Sequence, residues 1–250
     1  MNKMSNEHLP MTNDICLNPI GFVNSPYKEK FAIPRQPGLV GAAKGTITLA
    51  GDVNSIESVR DLNQFSHIWV VFIFHGTQEQ GWNPLVRPPR LGGNKKTGVF
   101  ATRSTFRPNP IGLSVVKLDD IKVINQNVIL YISGMDLLDQ TPIVDIKPYI
   151  PYSDSYPDAI AGYAQSEPET SLSVLFSAKA KQSLAEIKNE YPDLTLLITQ
   201  VLSQDPRPAY KKNKPDEKVY GMKLYDFNIQ WKINDLGRIE VINVTSYNVQ

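Results

Sequence analysis

Short runs of β-branched and aromatic residues fill the chain between residues 20 and 146, and clusters of Gly, Pro and Asn separate them. This pattern predicts a series of short β-strands. Because many short strands in an open sheet would leave exposed edges, a closed or nearly closed barrel is the economical architecture. The clearest runs are GTITLAG at residues 45–51, HIWVVFIF at 67–74, GLSVVKL at 112–118 and VILYISG at 128–134.

Two segments within residues 20–146 allow more specific predictions. Residues 68–74 contain no polar side chain, so this strand is expected to be buried on both faces. Residues 53–62, VNSIESVRDL, have the only helix-like spacing in this half and predict a single short helix.

The pattern changes after Pro157 and indicates a second, smaller unit. Residues 162–171 are polar and typical of a linker, and residues 171–177 predict a strand. Two or three closing strands are expected within residues 218–233 and 238–245.

Two helices are predicted between these strands. Residues 178–191 form an amphipathic pattern with Leu184 and Ile187 inward, and Asp193 can cap a second helix over residues 194–203. The fold class is therefore mainly β. An N-terminal β-barrel domain over residues 18–158 precedes a smaller C-terminal α+β domain over residues 165–245.

The net charge of +1 conceals a segregated charge distribution. No acid lies between Glu79 and Asp119, and none lies between Asp205 and Asp216. These intervals can present a positive surface to phosphates, although solvated loops without acids are the alternative. The cations of the two intervals are Arg87, Arg90, Lys95, Lys96, Arg103, Arg107 and Lys117, followed by Arg207, Lys211, Lys212 and Lys214.

Several classes of chemistry lack their usual residues. The chain has one cysteine, Cys16, and three histidines, and it contains no glycine-rich dinucleotide or phosphate loop, HExxH, CxxC or GxSxG motif. We therefore expect no metal site and no disulfide. The first twenty residues lack a signal-peptide pattern and no apolar run could span a bilayer, so a cytoplasmic protein without a membrane segment is expected.

Three stretches combine prolines with Arg or Lys and a few polar side chains, at residues 26–40, 87–112 and 139–154. Stiff loops of this kind suit a preformed binding site, although edge-guarding connectors are the alternative. Arg103 and Arg107 stand four apart, but Pro108 and Pro110 exclude a helix. We expect them on a strand end and the following loop, one pointing into a cavity and the other outward, where the guanidinium can bind carboxylate or phosphate.

A second constellation, SQDPRPAYKKNK, occupies residues 203–214. Asp205, Arg207 and Tyr210 would suit an RNA-facing catalytic loop, with the acid as proton acceptor, the cation on phosphate and the ring stacked on a base. An Asp–Arg surface pair beside solvated lysines is the alternative.

Six segments together resemble the TsaA-like (TrmO) family of tRNA methyltransferases. They are SPYKEKFAIPRQPGLV, FSHIWVVFIFH, RPPRLGGN, GVFATRSTFRPNPIG, QTPIVDIKPYIPYSDS and DPRPAY. The resemblance extends from Ile20 to Trp231 and leaves the first eighteen residues outside it.

The resemblance implies a homodimeric β-barrel enzyme that uses S-adenosyl-L-methionine. Its implied reaction adds an N6-methyl group to threonylcarbamoyladenosine at position 37 of tRNA, beside the anticodon. Carried over by position, the implied cofactor contacts are Pro34, Arg35, Gln36, His75, Gly76, Arg103, Leu113, Thr141, Pro142, Ile143 and Val144. The implied catalytic residues are Asp205, Arg207 and Tyr210, and Arg107, Lys211 and Lys212 are the expected tRNA contacts. Gly76 departs from the family, in which a larger polar residue is expected.

Methyl transfer from a sulfonium needs no metal and no covalent intermediate, so the protein is expected to act chiefly by alignment. Either Asp205 or Tyr210 could accept the proton that the adenine nitrogen loses. Two rival functions remain at this point: a non-catalytic RNA-binding module, and a small-molecule enzyme on the same barrel.

Overall fold

The computed structural model of the chain describes residues 15–167, 172–207 and 218–247. Six strands form the N-terminal unit, two form a hairpin inserted in it, and four form a C-terminal sheet. In chain order the strands are β1 (Gly21–Asn24), β2 (Lys44–Leu49), β3 (His67–Ile73), β4 (Leu85–Val86), β5 (Thr97–Gly98), β6 (Ile111–Ile124), β7 (Asn127–Ser133), β8 (Pro142–Pro148), β9 (Val174–Phe176), β10 (Tyr220–Leu224), β11 (Phe227–Ile233) and β12 (Ile239–Ser246).

The N-terminal strands close into a barrel in the order β1, β2, β7, β6, β3, β8, and every neighbouring pair is antiparallel. Closure leaves none of these six strands with an unpaired edge. Alternate residues point into the barrel, as Ile68, Val70 and Phe72 do on β3. Gly112 lies opposite this row, and a Cβ there would overlap the Phe72 ring. The predicted mainly β fold with a barrel is thus confirmed.

The barrel half differs from expectation in three places. The outer face of β3, including Trp69, is half-buried, so the expectation of burial on both faces is wrong. On this outer face the covering contacts are few. One of them joins the rings of Trp69 and Tyr149, whose centroids lie 5.9 Å apart. Residues 53–62 form short 3-10 turns, including Ile56–Val59, in place of one helix. A helix of this length gains too few hydrogen bonds to offset the cost of starting it. The third proline-rich stretch contains strand β8 and the one-turn helix α1 (Pro151–Asp154).

The C-terminal unit is α+β, as predicted. Helix α2 (Ala178–Glu186) and helix α3 (Leu194–Ser203) accompany a sheet in the order β10, β11, β12, β9, in which only β9 is parallel to its neighbour. Helix α2 ends before the predicted residue 191, and Ile187 is only half-buried at its end. Asp193 stands at the start of α3, but its carboxylate pairs with Lys44 of the barrel rather than with the helix amides.

The two units contact each other through the connection between β1 and β2. The Gln200 side chain on α3 accepts from the Ala42 amide at 2.9 Å, and the Tyr225 amide donates to the Pro26 carbonyl at 2.8 Å. Tyr27 is fully buried at this contact. Because the buried apolar residues of both units form one cluster, the barrel and the C-terminal unit share a hydrophobic core.

The described helices are all too short or too polar to cross a lipid bilayer.

Candidate active site

Three connections of the chain meet at one end of the barrel. Antiparallel pairing places the ends of β1, β3 and β7 at the same rim as the starts of β2, β6 and β8. The connections at this rim therefore comprise residues 25–43, 74–110 and 134–141. All eleven residues that the resemblance assigns to the cofactor lie in these connections or in the first residues of β6 and β8.

A hydrogen bond joins the first two of these connections. Arg103 Nη1 donates to Gln36 Oε1 at 2.5 Å, although 67 residues separate the two in sequence. Arg103 is exposed and lies in a loop. The expectation that it ends a strand is wrong, because a 3-10 turn (Val99–Ala101) precedes it and β6 begins only at Ile111, beyond two prolines that cannot donate to a sheet.

Asp136 is a candidate site residue that the sequence interpretation did not include. Its Oδ1 accepts a 2.6 Å hydrogen bond from the hydroxyl of Ser114, which is buried inside the barrel. Burial raises the pKa of Asp136 to about 6, while the Ser114 hydrogen bond and the charge of Arg103 oppose that rise. The available sequence signal was an acid placed between two strongly apolar residues, Met135 and Leu137, which are both buried.

Replacing Asp136 with asparagine is expected to stabilise the protein at neutral pH. Because the folded-state pKa lies above the unfolded value, the folded protein holds this proton more tightly, and its stability falls as the pH rises from about 4 to about 6. The variant lacks that loss, so its free energy of unfolding should exceed that of the wild type by up to about 3 kcal/mol near pH 7. Urea denaturation at several pH values measures the difference. A difference that does not grow between about pH 4.5 and 7 would contradict the assignment.

Arg107 holds its own loop together. Its Nη1 donates to the Thr102 carbonyl at 2.8 Å and more weakly to the Val99 carbonyl at 3.4 Å, and its guanidinium lies 5.7 Å from the Phe100 ring centroid. The side chain is half-buried. The expected outward orientation is therefore not the one observed, because the guanidinium donates to carbonyls of its own loop.

His75, Gly76 and Thr141 lie close together at the same rim. His75 begins the 3-10 turn His75–Gln80 that follows β3. A Cβ on Gly76 would meet the Leu138 side chain at 3.3 Å, so the larger residue expected in the family would press on this connection. Thr141 is buried, and its hydroxyl donates to the Leu138 carbonyl at 2.6 Å.

The remaining barrel residues of the predicted set divide between the two faces of the wall. Ile143 is fully buried and pairs with Phe72, whereas Pro142 and Val144 are half-buried. Leu113 is 53% exposed and pairs with Val71 on the outer face of β6, so it lies on the other side of the wall from Ser114.

A cavity of about 270 Å³ lies between the first connection and the end of α3. Asp205 and Arg207 form a buried ion pair at its wall, in which Arg207 Nε donates to Asp205 Oδ1 at 2.8 Å and Nη2 donates to Oδ2 at 2.9 Å. The structure thus brings two predicted catalytic residues beside Pro34 and Arg35 of the cofactor set. The lining residues are Lys30, Phe31, Ala32, Ile33, Pro34, Arg35, Pro89, Val201, Gln204, Asp205, Pro206 and Arg207.

Asp205 occupies this place at a conformational cost. Its φ of +50° is left-handed, which non-glycine residues adopt at the expense of about 1 kcal/mol or more. Its amide donates to the Leu202 carbonyl at 2.9 Å and closes the end of α3. Glycine would adopt this backbone conformation without strain, but it has no carboxylate to pair with Arg207. The ion pair therefore explains why an aspartate occupies this position.

Three predicted residues, Tyr210, Lys211 and Lys212, lie outside the described residues. Within residues 15–167, 172–207 and 218–247, no group of three or more His, Cys, Asp or Glu side chains is arranged to hold a metal ion.

Comparison with known proteins gives a consistent result over almost the whole chain. The family model described as the tRNA-methyltransferase O N-terminal domain matches residues 22–155, and the TrmO C-terminal domain model matches residues 169–247. The chain is 54% identical over 218 residues to an Escherichia coli (strain K12) protein named tRNA (adenine(37)-N6)-methyltransferase, an alignment that covers 87% of this chain and 93% of that protein.

Two further relatives agree in sequence and in structure. A Pseudomonas aeruginosa protein named "Putative S-adenosylmethionine-dependent methyltransferase RcsF" is 44% identical over 235 residues, covering 94% of this chain and 98% of that one. A crystal structure of TrmO from Pseudomonas aeruginosa superposes with a TM-score of 0.78 at 37% identity, over 94% of this chain and 100% of that chain.

Proposed function

The chain belongs to the tRNA-methyltransferase O family, and we propose that it transfers a methyl group from S-adenosyl-L-methionine to the N6 nitrogen of adenine 37 in tRNA. We further propose that this adenine already carries a threonylcarbamoyl group and lies in the anticodon loop. The observation that supports the site most directly is the meeting of three connections at one rim of the barrel, where Gln36 binds Arg103.

The residues at this rim suit the proposed cofactor, which supplies an electrophilic methyl group on a sulfonium. The exposed guanidinium of Arg103 can bind the cofactor's carboxylate, and the Asp136 carboxylate provides a negative charge for a cation. The other proposed contacts are Pro34, Gln36, His75, Gly76, Leu113, Thr141, Pro142, Ile143 and Val144, together with the main chain of Arg35.

Alignment is the main contribution that the chain makes to the reaction. Holding two reacting atoms near contact can supply about 7–11 kcal/mol of the barrier. The structure bears on the proton acceptor, because both carboxylate oxygens of Asp205 already accept from Arg207. We therefore propose that Asp205 positions Arg207, and that Tyr210 in its phenolate form accepts the proton and becomes a neutral phenol.

A cationic hairpin provides a surface for tRNA phosphates. We use this name for residues 85–98, in which β4 and β5 pair and the tip carries four exposed cations. The hairpin belongs to the connection between β3 and β6, and its Pro89 lines the cavity beside Asp205. The four cations are Arg87, Arg90, Lys95 and Lys96. With Arg107, Lys211 and Lys212, they form the proposed tRNA-binding set.

Replacing Lys95 and Lys96 together with alanine is expected to make tRNA binding less sensitive to salt. Each phosphate contact adds about 0.7–0.9 to the steepness of log affinity against log salt, so losing two should lower that steepness by about 1.4–1.8. Filter binding over a salt series measures it. Arg60→Ala, at the opposite end of the barrel, is the control and should keep the wild-type slope. Parallel slopes for the double variant and the wild type would exclude the hairpin from the interface.

The broader organisation of the enzyme is also a proposal. Residues 18–158 form the cofactor-binding barrel domain, and residues 165–245 form the C-terminal domain, which faces the tRNA. We propose a homodimer, which is supported by the outer face of β6, where Ile111 and Leu113 are exposed apolar residues beside Val71 and Ile73. A location in the cytoplasm is proposed because the proposed substrate is tRNA.

Two binding measurements separate this function from its rivals. The purified protein should show a higher melting temperature with S-adenosyl-L-methionine, which a non-catalytic RNA-binding module would not. It should also bind a labelled tRNA, and unlabelled tRNA should displace that label. A small-molecule enzyme would bind neither tRNA. A protein that responds to only one of the two ligands would contradict the proposal.

A further inference from the structure

The described residues that line the cavity beside Asp205 carry a surplus of positive charge. Lys30, Arg35 and Arg207 are cations, and Asp205 is the one acid among these described lining residues. Since Asp205 is held by Arg207 through both oxygens, the charges of Lys30 and Arg35 remain to be balanced. Lys30 lies 5.3 Å from the Phe106 ring centroid, and within the described part of the chain Arg35 has no hydrogen bond or ion pair.

Arg35 and Gln36 connect this cavity with the proposed cofactor site. Gln36 binds Arg103 on the barrel side, whereas Arg35 lines the cavity on the side of the C-terminal unit, where the charge of Asp205 acts on it. Adjacent Cα atoms are only about 3.8 Å apart, so one short segment of the chain contributes a side chain to the cavity and another to the contact with Arg103.

The geometry points to a second recognition site: we propose that this cavity binds the carboxylate of the N6 substituent on the substrate adenine, and that Arg35 is the residue that reads it. This inference depends on the proposed function and adds a determinant of specificity to it. In a threonylcarbamoyl group, only a carbonyl, a nitrogen and one carbon separate the carboxylate from the reacting N6 atom. The carboxylate must therefore bind close to the methyl donor, and the cavity shares the Arg35–Gln36 segment with the proposed cofactor site.

The size and charge of the cavity favour the substrate over the cofactor as the source of that carboxylate. Its volume of about 270 Å³ lies below the ~300–1,000 Å³ typical of sites for whole small molecules, so it suits a substituent. The cofactor's carboxylate is accompanied by an ammonium group that would require an acid. The cavity's acid is already paired, whereas the nitrogen of a carbamoyl group is neutral.

The rate of tRNA methylation by the Arg35→Gln variant, measured on two substrates, tests this assignment. The substrates are two forms of one tRNA, with threonylcarbamoyladenosine or unmodified adenosine at position 37, and the control variant is Arg60→Ala at the opposite end of the barrel. Loss of a hydrogen bond to a charged group should lower the preference for the modified tRNA by about 10- to 100-fold. The affinity for S-adenosyl-L-methionine, measured by calorimetry, should stay within about twofold, and Arg35→Lys should restore part of the preference because it keeps the charge.

The outcomes separate this inference from the function on which it rests. Wild-type protein that methylates neither tRNA would refute the proposed function itself. An active Arg35→Gln protein that keeps the wild-type preference would overturn only the assignment of Arg35. Weakened binding of S-adenosyl-L-methionine by Arg35→Gln would also overturn it, because the guanidinium would then serve the cofactor. Inhibition by free threonylcarbamoyladenosine nucleoside, but not by an analogue lacking the carboxylate, should be present in the wild type and weakened in Arg35→Gln.

Discussion

Replacing Arg207 with alanine is expected to lower the free energy of unfolding by about 3–5 kcal/mol, the typical cost of leaving one member of a buried ion pair without its partner. Asp205 would keep a largely buried carboxylate that loses two charge-assisted hydrogen bonds, and it would still hold its left-handed backbone. Urea denaturation of the purified variant measures the change.

The double variant Asp205→Asn, Arg207→Met is the control for this prediction. It removes both charges, and asparagine tolerates the left-handed conformation, so it should recover much of the lost stability. A loss below about 1 kcal/mol for Arg207→Ala would show that the pair is effectively solvated and would contradict its burial.

Replacing Arg103 with alanine is expected to weaken the binding of S-adenosyl-L-methionine by about 10- to 100-fold, which corresponds to a hydrogen bond to a charged group. The side chain is exposed and its one described hydrogen bond is to Gln36, so the melting temperature should change little. Isothermal titration calorimetry measures the affinity.

Arg60→Ala provides a matched control for the Arg103 variant. It removes an exposed arginine that is paired with Glu57 at the opposite end of the barrel, and it should bind the cofactor as the wild type does. Unchanged affinity in Arg103→Ala would exclude this residue from the cofactor site. It would also contradict the proposal that the Arg103–Gln36 contact marks that site.

The sequence predicted the elements whose local pattern agrees with their environment. The barrel strands follow period-two burial, and helix α3 spans the predicted residues 194–203 because its apolar face packs against the C-terminal sheet. Strand β8 was missed because its prolines and charges resemble a loop, although Ile143 and its neighbours complete the barrel between β1 and β3.

Sequence motifs supplied candidate members of the site but not its geometry. Family motifs identify Arg35 and Asp205, but no local pattern brings these side chains, 170 positions apart in sequence, to one cavity. The partial burial of Asp136 likewise depends on its tertiary contact with Ser114, and the inward hydrogen bonds of Arg107 depend on how its own loop folds back to the carbonyl of Thr102. Such contacts follow from the closure of the barrel and from the docking of the C-terminal unit.

Mass spectrometry of tRNA nucleosides after reaction with methyl-deuterated S-adenosyl-L-methionine tests the central proposal most directly. The purified protein should place the labelled methyl group on the N6 nitrogen of threonylcarbamoyladenosine, at position 37 of the tRNA. Label found on a different nucleoside, or tRNA that emerges without label while the protein binds both ligands, would contradict it.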